Sequence, residues 1–215
     1  MKENMNFQQK LDKKLVEITG LHKTPNLLLH VCCAPCSSYV LEYLSNYFQI
    51  TLFFYNPNIA PKEEFDKRVI EIERFVSEFP VKHPVKIEIG DYHPEEFFAM
   101  AKGMEEEPEG GKRCYYCYEQ RLRRTAEKCK QDGYDYFTTT LSISPYKHAE
   151  WLNEIGEYQA KLHGVSYLVS DFKKKDGYRR SIELSKQYQL YRQDYCGCVF
   201  SKAERDRRKR NVQPE

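Results

Sequence analysis

Apolar positions along the 215-residue chain follow two alternating periods. Short continuous runs, Leu27 to Val31, Ile50 to Tyr55, Val85 to Ile89, Tyr136 to Thr140 and Val165 to Val169, have the length and the β-branched or aromatic content of buried strands. Between them the spacing lengthens to three and four residues. Phe65, Val69, Ile72, Phe75, Val76 and Phe79 mark one face of a helix opened by Pro61. Ala149, Leu152, Ile155 and Leu162 mark another, over about Lys147 to Gly164, with Gly164 as its stop. Leu122, Ala126 and Cys129 give a third stripe, in which Cys129 reads as a small buried hydrophobe. Strands separated by helices predict an α/β fold, a doubly wound parallel sheet of about five strands with flanking helices. The chain divides accordingly: residues 1–24 read as a polar, partly helical extension, 25–202 as one α/β domain and 203–215 as a basic tail. A chain of this length buries a substantial core.

In open α/β sheets the ligand crevice lies beyond the carboxyl ends of the strands, and the polar motifs gather there. Cys32 and Cys33 end the first strand, Asn56-Pro57-Asn58 follows the second, Ser142 to Lys147 follows the fourth and Asp171 follows the fifth.

Seven of the eight cysteines fall into three groups: Cys32, Cys33 and Cys36; Cys114 and Cys117; Cys196 and Cys198. Residues 1–14, rich in Lys, Asn and Gln, lack the apolar core of a signal peptide, and no run reaches membrane-spanning length. This predicts a reducing, cytoplasmic setting, where clustered thiolates read as metal ligands or redox groups. Adjacent residues of an extended strand point to opposite faces, so Cys32 and Cys33 share one centre only if the strand has ended, which Pro35 favours. Cys36 then falls near the start of a helix, where free backbone N–H groups favour a thiolate. Cys114 and Cys117 share a helical face after Gly110-Gly111. Cys32, Cys33, Cys114 and Cys117 suffice for a tetrahedral zinc or a four-iron cluster, and spacing alone does not choose between them. A closed zinc site leaves Cys36, Cys196 and Cys198 over for open coordination or redox work. Cys196-Gly197-Cys198 reads as a dithiol able to give up two electrons, with two further metal ligands as the alternative. Asp171 is a candidate oxygen ligand or proton donor, a helix cap being the plainer reading. His30, inside an apolar strand, reads as a core histidine.

The formal charge of +2 says nothing of partners, but its distribution does. Basic residues gather at Arg121, Arg123 and Arg124, at Lys173 to Lys175 with Arg179 and Arg180, and at Lys202, Arg205 and Arg207 to Arg210. Each group alone reads equally as a solvated face. Together, beside the chemistry, they favour a polyanionic substrate. An aromatic content of 14%, with 17 tyrosines, supplies rings that stack bases or fill core and rim.

Six ordered motifs carry a resemblance. They are His30-Val31-Cys32-Cys33-Ala34-Pro35-Cys36-Ser37; Tyr55-Asn56-Pro57-Asn58-Ile59; Arg113-Cys114-Tyr115-Tyr116-Cys117-Tyr118; Thr138-Thr139-Thr140-Leu141 with Ser144-Pro145-Tyr146-Lys147; Gly177-Tyr178; and Tyr191-Arg192-Gln193-Asp194-Tyr195-Cys196-Gly197-Cys198. From about His30 to Ser201 the chain resembles the QueH-type epoxyqueuosine reductases. The resemblance implies an oxidoreductase that deoxygenates epoxyqueuosine to queuosine at the wobble position of tRNA. It implies a Rossmann-like fold of HUP type, akin to adenylating and tRNA-thiolating enzymes, but with cysteines where those carry a phosphate loop after the first strand, so ATP use is not expected. It also implies a [4Fe-4S] cluster on Cys32, Cys33, Cys114 and Cys117 and a redox-active pair, Cys196 and Cys198. An additional iron ion close to the cluster is expected too, with Cys36, Asp171 and the Cys196/Cys198 pair as its candidate ligands. Asp171, Tyr178 and Lys147 are candidate proton donors. The partners expected are tRNA carrying epoxyqueuosine and a separate electron donor. Two other classes compete: a zinc-binding RNA module without catalysis, and an iron-sulfur tRNA-thiolating enzyme.

Overall fold

The computed structural model describes residues 6–212, in which β1 (Asn26–His30), β2 (Gln49–Phe54), β3 (Lys86–Ile89) and β4 (Tyr136–Thr139) form one parallel sheet. The strand order is β3-β2-β1-β4. Register is set on the central strand, where Leu29 lies between Leu52 of β2 and Thr138 of β4. Because β1 is covered on both faces, its Leu27, Leu28 and Leu29 are all fully buried, which explains a continuous apolar run where a one-sided sheet would alternate.

Alternate strand residues feed two cores. Leu27, Leu29, Ile50, Leu52 and Phe54 pack with α1 (Phe7–Thr19), α2 (Ala34–Leu44), α3 (Lys62–Glu78) and α7 (Gly177–Gln187). Leu28 and Phe53 pack with α5 (Lys112–Asp132) and α6 (Ala149–His163). A short helix α4 (Pro94–Ala101) precedes α5, and α8 (Val199–Val212) closes the described chain. Helix α1 lies within the N-terminal extension, and its Leu11, Leu15 and Ile18, spaced four and three apart, enter the larger core.

Two expectations are corrected. The run Val165 to Val169 does not make a fifth strand; it meets the sheet through a single parallel bridge, Tyr167 to Phe137. The backbone beyond that bridge is taken by side chains. The Thr138 hydroxyl donates to Leu168 O at 2.8 Å, while the Asn153 amide both accepts from Ser170 N (2.9 Å) and donates to Ser170 O (2.9 Å). With those groups satisfied, no ladder is left to extend. On α6, Leu162 points to solvent and Gln159 and Ala160 are buried instead, although Gly164 ends the helix in the left-handed conformation (φ 66°) as expected.

Successive connections carry the chain from β1 outward to β3, and the next returns it across β1 to β4. The order therefore reverses at the carboxyl ends of β1 and β4, where an α/β sheet opens a crevice.

Candidate thiol site

The first strand stops where the cysteines begin. Val31 N still bonds Phe53 O at 3.0 Å, but Val31 O is taken by the Asn56 side-chain amide (2.8 Å), and the chain turns away into α2. Cys33 is the N-cap of that helix, in extended backbone conformation, and Pro35 occupies the first turn. The turn brings adjacent side chains to one side: the sulfurs of Cys32 and Cys33 are 3.8 Å apart, and with Cys36 all three sulfurs lie within 4.8 Å of one another. Hydrogen bonds from the Cys32 and Cys36 thiols pull Cys33 well below the ordinary thiol range, while hydrogen bonds with Cys32 and Cys33, followed by burial, push Cys36 well above it. Beneath the three sulfurs His30, fully buried, joins Thr139 Oγ1 (2.9 Å) to Tyr55 O (3.1 Å), and burial followed by the charge of Arg121 lowers its pKa to about 3. It is a neutral strut across three strand ends.

The second group forms on the opposite wall. Cys114 and Cys117 sit on the first two turns of α5 after Gly110, whose left-handed φ of 87° lets its N–H reach Cys114 Sγ at 3.3 Å. Cys196 and Cys198 flank Gly197 just before α8, and Ser201 N donates to Cys198 Sγ at 3.4 Å. Cys114, Cys117, Cys196 and Cys198 line one small enclosed space with Asn58 and Arg121. Burial pushes Cys117 up to about 12, with Arg121 acting in the opposite direction.

The two groups meet at Cys196, which lines both that space and a cleft of about 420 Å³ whose floor is Cys32, Cys33 and Cys36. Lys147, partly buried, enters the cleft and directs Nζ to Cys196 Sγ at 3.7 Å. Burial opposes its charge. The Cys196 thiol, the Tyr118 phenol and the thiols of Cys32 and Cys36 outweigh that and hold the ammonium well above the ordinary lysine range. Tyr146, 71% exposed, stands at the lip of the cleft with Tyr178 and Arg192, whose guanidinium donates to the Tyr178 hydroxyl at 3.1 Å.

Two arginines complete the site. Arg121, read from sequence as part of a surface basic group, is 1% exposed; its Nε donates to Cys117 O at 3.1 Å and its Nη2 has no protein partner. Burial lowers its pKa, and the thiols of Cys117, Cys196 and Cys32 raise it by more. Arg68 is also 1% exposed, bonds Glu64 at 2.7 Å and Cys196 O at 3.1 Å, and likewise keeps Nη2 unpartnered. Sequence reasoning missed Arg68 and placed Arg121 only in a basic group, because a charge on an amphipathic helix reads as surface. The signal was positional: Phe65, Arg68, Ile72, Phe75 and Phe79 step by three and four, so Arg68 occupies a core slot.

Asp171 is buried but lines neither thiol space, and its carboxylate pairs with Lys173 Nζ at 2.9 Å. Cys129 is buried among Leu122, Ala126 and Leu152, as its helical stripe predicts. Soft thiol donors, buried guanidinium N–H groups without protein acceptors and a partly buried ammonium together fit a metal bound by sulfur and carrying net negative charge. Cys32, Cys33 and Cys36 are a group able to hold a metal ion. Among the described residues, no helix is long and apolar enough to cross a membrane.

Comparison with known proteins agrees with the motifs. The profile of the family described as epoxyqueuosine reductase QueH matches residues 27–204. The epoxyqueuosine reductase QueH of Streptococcus pyogenes serotype M1 is 45% identical over 206 residues, covering 92% of this chain and 81% of its own. The protein of that name from Staphylococcus epidermidis is 43% identical over 203 residues, covering 93% and 85%. That from Thermotoga maritima is 36% identical over 185 residues, covering 83% and 91%. With the profile spanning every one of the clustered cysteines, the chain belongs to the epoxyqueuosine reductase QueH family.

Proposed function

We propose that this chain is an oxidoreductase that removes the epoxide oxygen of epoxyqueuosine at the wobble position of tRNA, leaving queuosine. Membership of the family supports the reaction. The observation that carries it to these residues is the position of Cys196, shared by the sulfur-lined interior and the open cleft.

In this reading Cys32, Cys33, Cys114 and Cys117 hold a [4Fe-4S] cluster, and Cys36, facing the cleft, holds an additional iron ion. The packing of Cys114 against the apolar cluster that contains Cys32 and Cys33 supports that grouping. When bound, iron and sulfide supply single electrons and a cation that polarises oxygen. Arg121 and Arg68 offset the negative charge gathered by the thiolates. Cys196 and Cys198 act as the two-electron store: closing one S–S bond releases two electrons and two protons, the number that turns an epoxide into an alkene and water. Lys147 holds a proton at Nζ, on the cleft side of Cys196. It is favoured over Asp171, whose carboxylate pairs with Lys173 and is not among the residues lining the cleft. A separate electron donor reopens the disulfide after each turnover.

The substrate base reaches the sulfurs only when splayed from the anticodon loop, and single-stranded RNA offers such bases to aromatic rings. Tyr146 provides the ring at the lip and Arg192 a cation beside it. The test is nucleoside mass spectrometry of epoxyqueuosine-containing tRNA after incubation with anaerobically reconstituted protein and a reductant. Conversion to queuosine is expected; unchanged epoxyqueuosine contradicts the assignment.

A further inference from the structure

Helix α8 is seated by polar contacts at its acidic neighbours. Glu204 accepts from Glu109 N at 2.8 Å and lies 3.8 Å from Arg113, while Asp194 of the dithiol segment, residues 191–198, pairs with Arg205 and with Lys209 at 2.7 Å. The Ser201 hydroxyl accepts from Cys196 N at 3.1 Å and closes the junction. So held, the helix carries six basic residues against two acidic ones between Lys202 and Arg210. The helix dipole favours Lys209 and Arg210 in the last turn but gives no reason for the four before them. From Ser201 to Arg210 the one apolar residue is Ala203, so this stretch has no apolar face to lay on a core or a lipid surface. Arg207 and Arg210 are exposed, three apart and mutually repelling, and neither has a carboxylate partner among the described residues. Arg208, with its side chain 70% exposed, donates to Glu204 at 3.3 Å and lines the cleft together with Arg192 and Tyr146. The family profile stops at residue 204, short of all three arginines.

We infer that α8 is the RNA-binding arm of the site: Arg207 and Arg210, with Arg208 at the edge of the cleft, hold backbone phosphates of the strand that delivers the splayed base. The inference deepens the reading of tRNA as substrate and rests on it. A phosphodiester chain supplies the anionic partners that the helix lacks, and a guanidinium offers paired N–H donors to phosphate oxygens. Because Asp194 joins α8 to the dithiol segment, a strand held on the helix is fixed relative to Cys196. The other two basic groups are occupied within the protein. Arg121 is buried, and Arg123 and Arg124 share Glu127. Lys173 pairs with Asp171, Lys175 with Asp12, Arg179 with Asp176 and Arg180 with Glu42, which leaves Lys174 as the one cation of those groups without a carboxylate among the described residues.

The test is filter binding of epoxyqueuosine-containing tRNA to the full-length, iron–sulfur-loaded protein over a series of salt concentrations. Arg207→Gln/Arg208→Gln/Arg210→Gln keeps good helix formers and should raise Kd about tenfold at physiological ionic strength, with the slope of log Kd against log salt lower by about two. Arg207→Lys/Arg208→Lys/Arg210→Lys keeps the charge and should stay within about threefold of the wild type. A control with the same loss of charge elsewhere, Arg123→Gln/Lys174→Gln/Arg179→Gln, should stay within about twofold. A Gln triple that matches the wild type in Kd and slope overturns the inference. So does a control that weakens binding as much as the Gln triple, since net charge and not α8 would then govern affinity. A Lys triple as weak as the Gln triple overturns it too, because the phosphate contact would not follow the charge. A wild-type protein that fails to bind the tRNA removes the substrate reading itself, and the arm with it.

Discussion

The ammonium of Lys147 stands 3.7 Å from the sulfur of Cys196, at the boundary between the cleft and the buried thiols. Burial opposes its charge, but the surrounding sulfur and the Tyr118 phenol outweigh that and keep the ammonium protonated across the neutral range, and it is the proposed proton source. Replacing it with Met should slow deoxygenation by on the order of a hundredfold, the usual contribution of a placed general acid. Iron content and tRNA binding should be retained. Single-turnover conversion measured beside a filter-binding titration checks this; a variant as fast as the wild type excludes Lys147 as the proton source.

The two roles given to the cysteines separate under mutation. Cys114→Ala removes a proposed cluster ligand and should abolish both the brown iron–sulfur absorbance and conversion of epoxyqueuosine. Cys196→Ser should keep the absorbance and lose multiple turnover, because one sulfur of the proposed electron store is gone. Absorbance spectra and product per enzyme over time distinguish the outcomes.

Asn153 substitutes for a strand. It is fully engaged with the backbone of Ala149 and Ser170 and is 1% exposed. Asn153→Ala leaves the buried N–H and C=O of Ser170 without those partners and should cost about 3 kcal/mol of stability. Chemical denaturation of the variant checks the figure, and a loss below about 0.5 kcal/mol would show that these bonds do not hold the segment.

Glu71 ties the start of the dithiol segment to α3. Burial raises its pKa, but Arg74 and the Tyr191 N–H outweigh it and set the folded value below the ordinary 4.5. A carboxyl with a depressed folded pKa contributes stability that is present above the unfolded value and is lost as pH falls through the folded one. Acid below about pH 4.5 should therefore loosen the segment in the wild type. Glu71→Gln should remove that component of the acid loss while lowering stability at pH 7. Denaturation midpoints of both proteins between pH 3 and pH 7 on the order of half-unit steps test the sign.

Much of the fold was legible because β1 and β2 are buried on both faces and leave unbroken apolar runs, while α5 and α6 end at glycines in the left-handed conformation. Val165 to Val169 has the same composition as a strand, and what stops it lies elsewhere in the chain, in the side chains of Thr138 and Asn153. The convergence of the cysteines on one end of the sheet also followed from motif order. Two neighbourhoods did not: Cys36 lies with Cys32 and Cys33, and Cys196 and Cys198 line a space with Cys114 and Cys117, contacts made by tertiary packing that spacing does not encode. Arg68 and Arg121 were hidden by their charge, although each sits in a buried helical stripe.

Sulfur from three distant segments is proposed to hold reactive iron at the mouth of the sheet. The most direct measurement is iron, zinc and acid-labile sulfide per chain in anaerobically purified protein. About four or more irons with matching sulfide are predicted; zinc without sulfide, in about one equivalent, contradicts the account and returns the chain to a thiolate-held RNA-binding module.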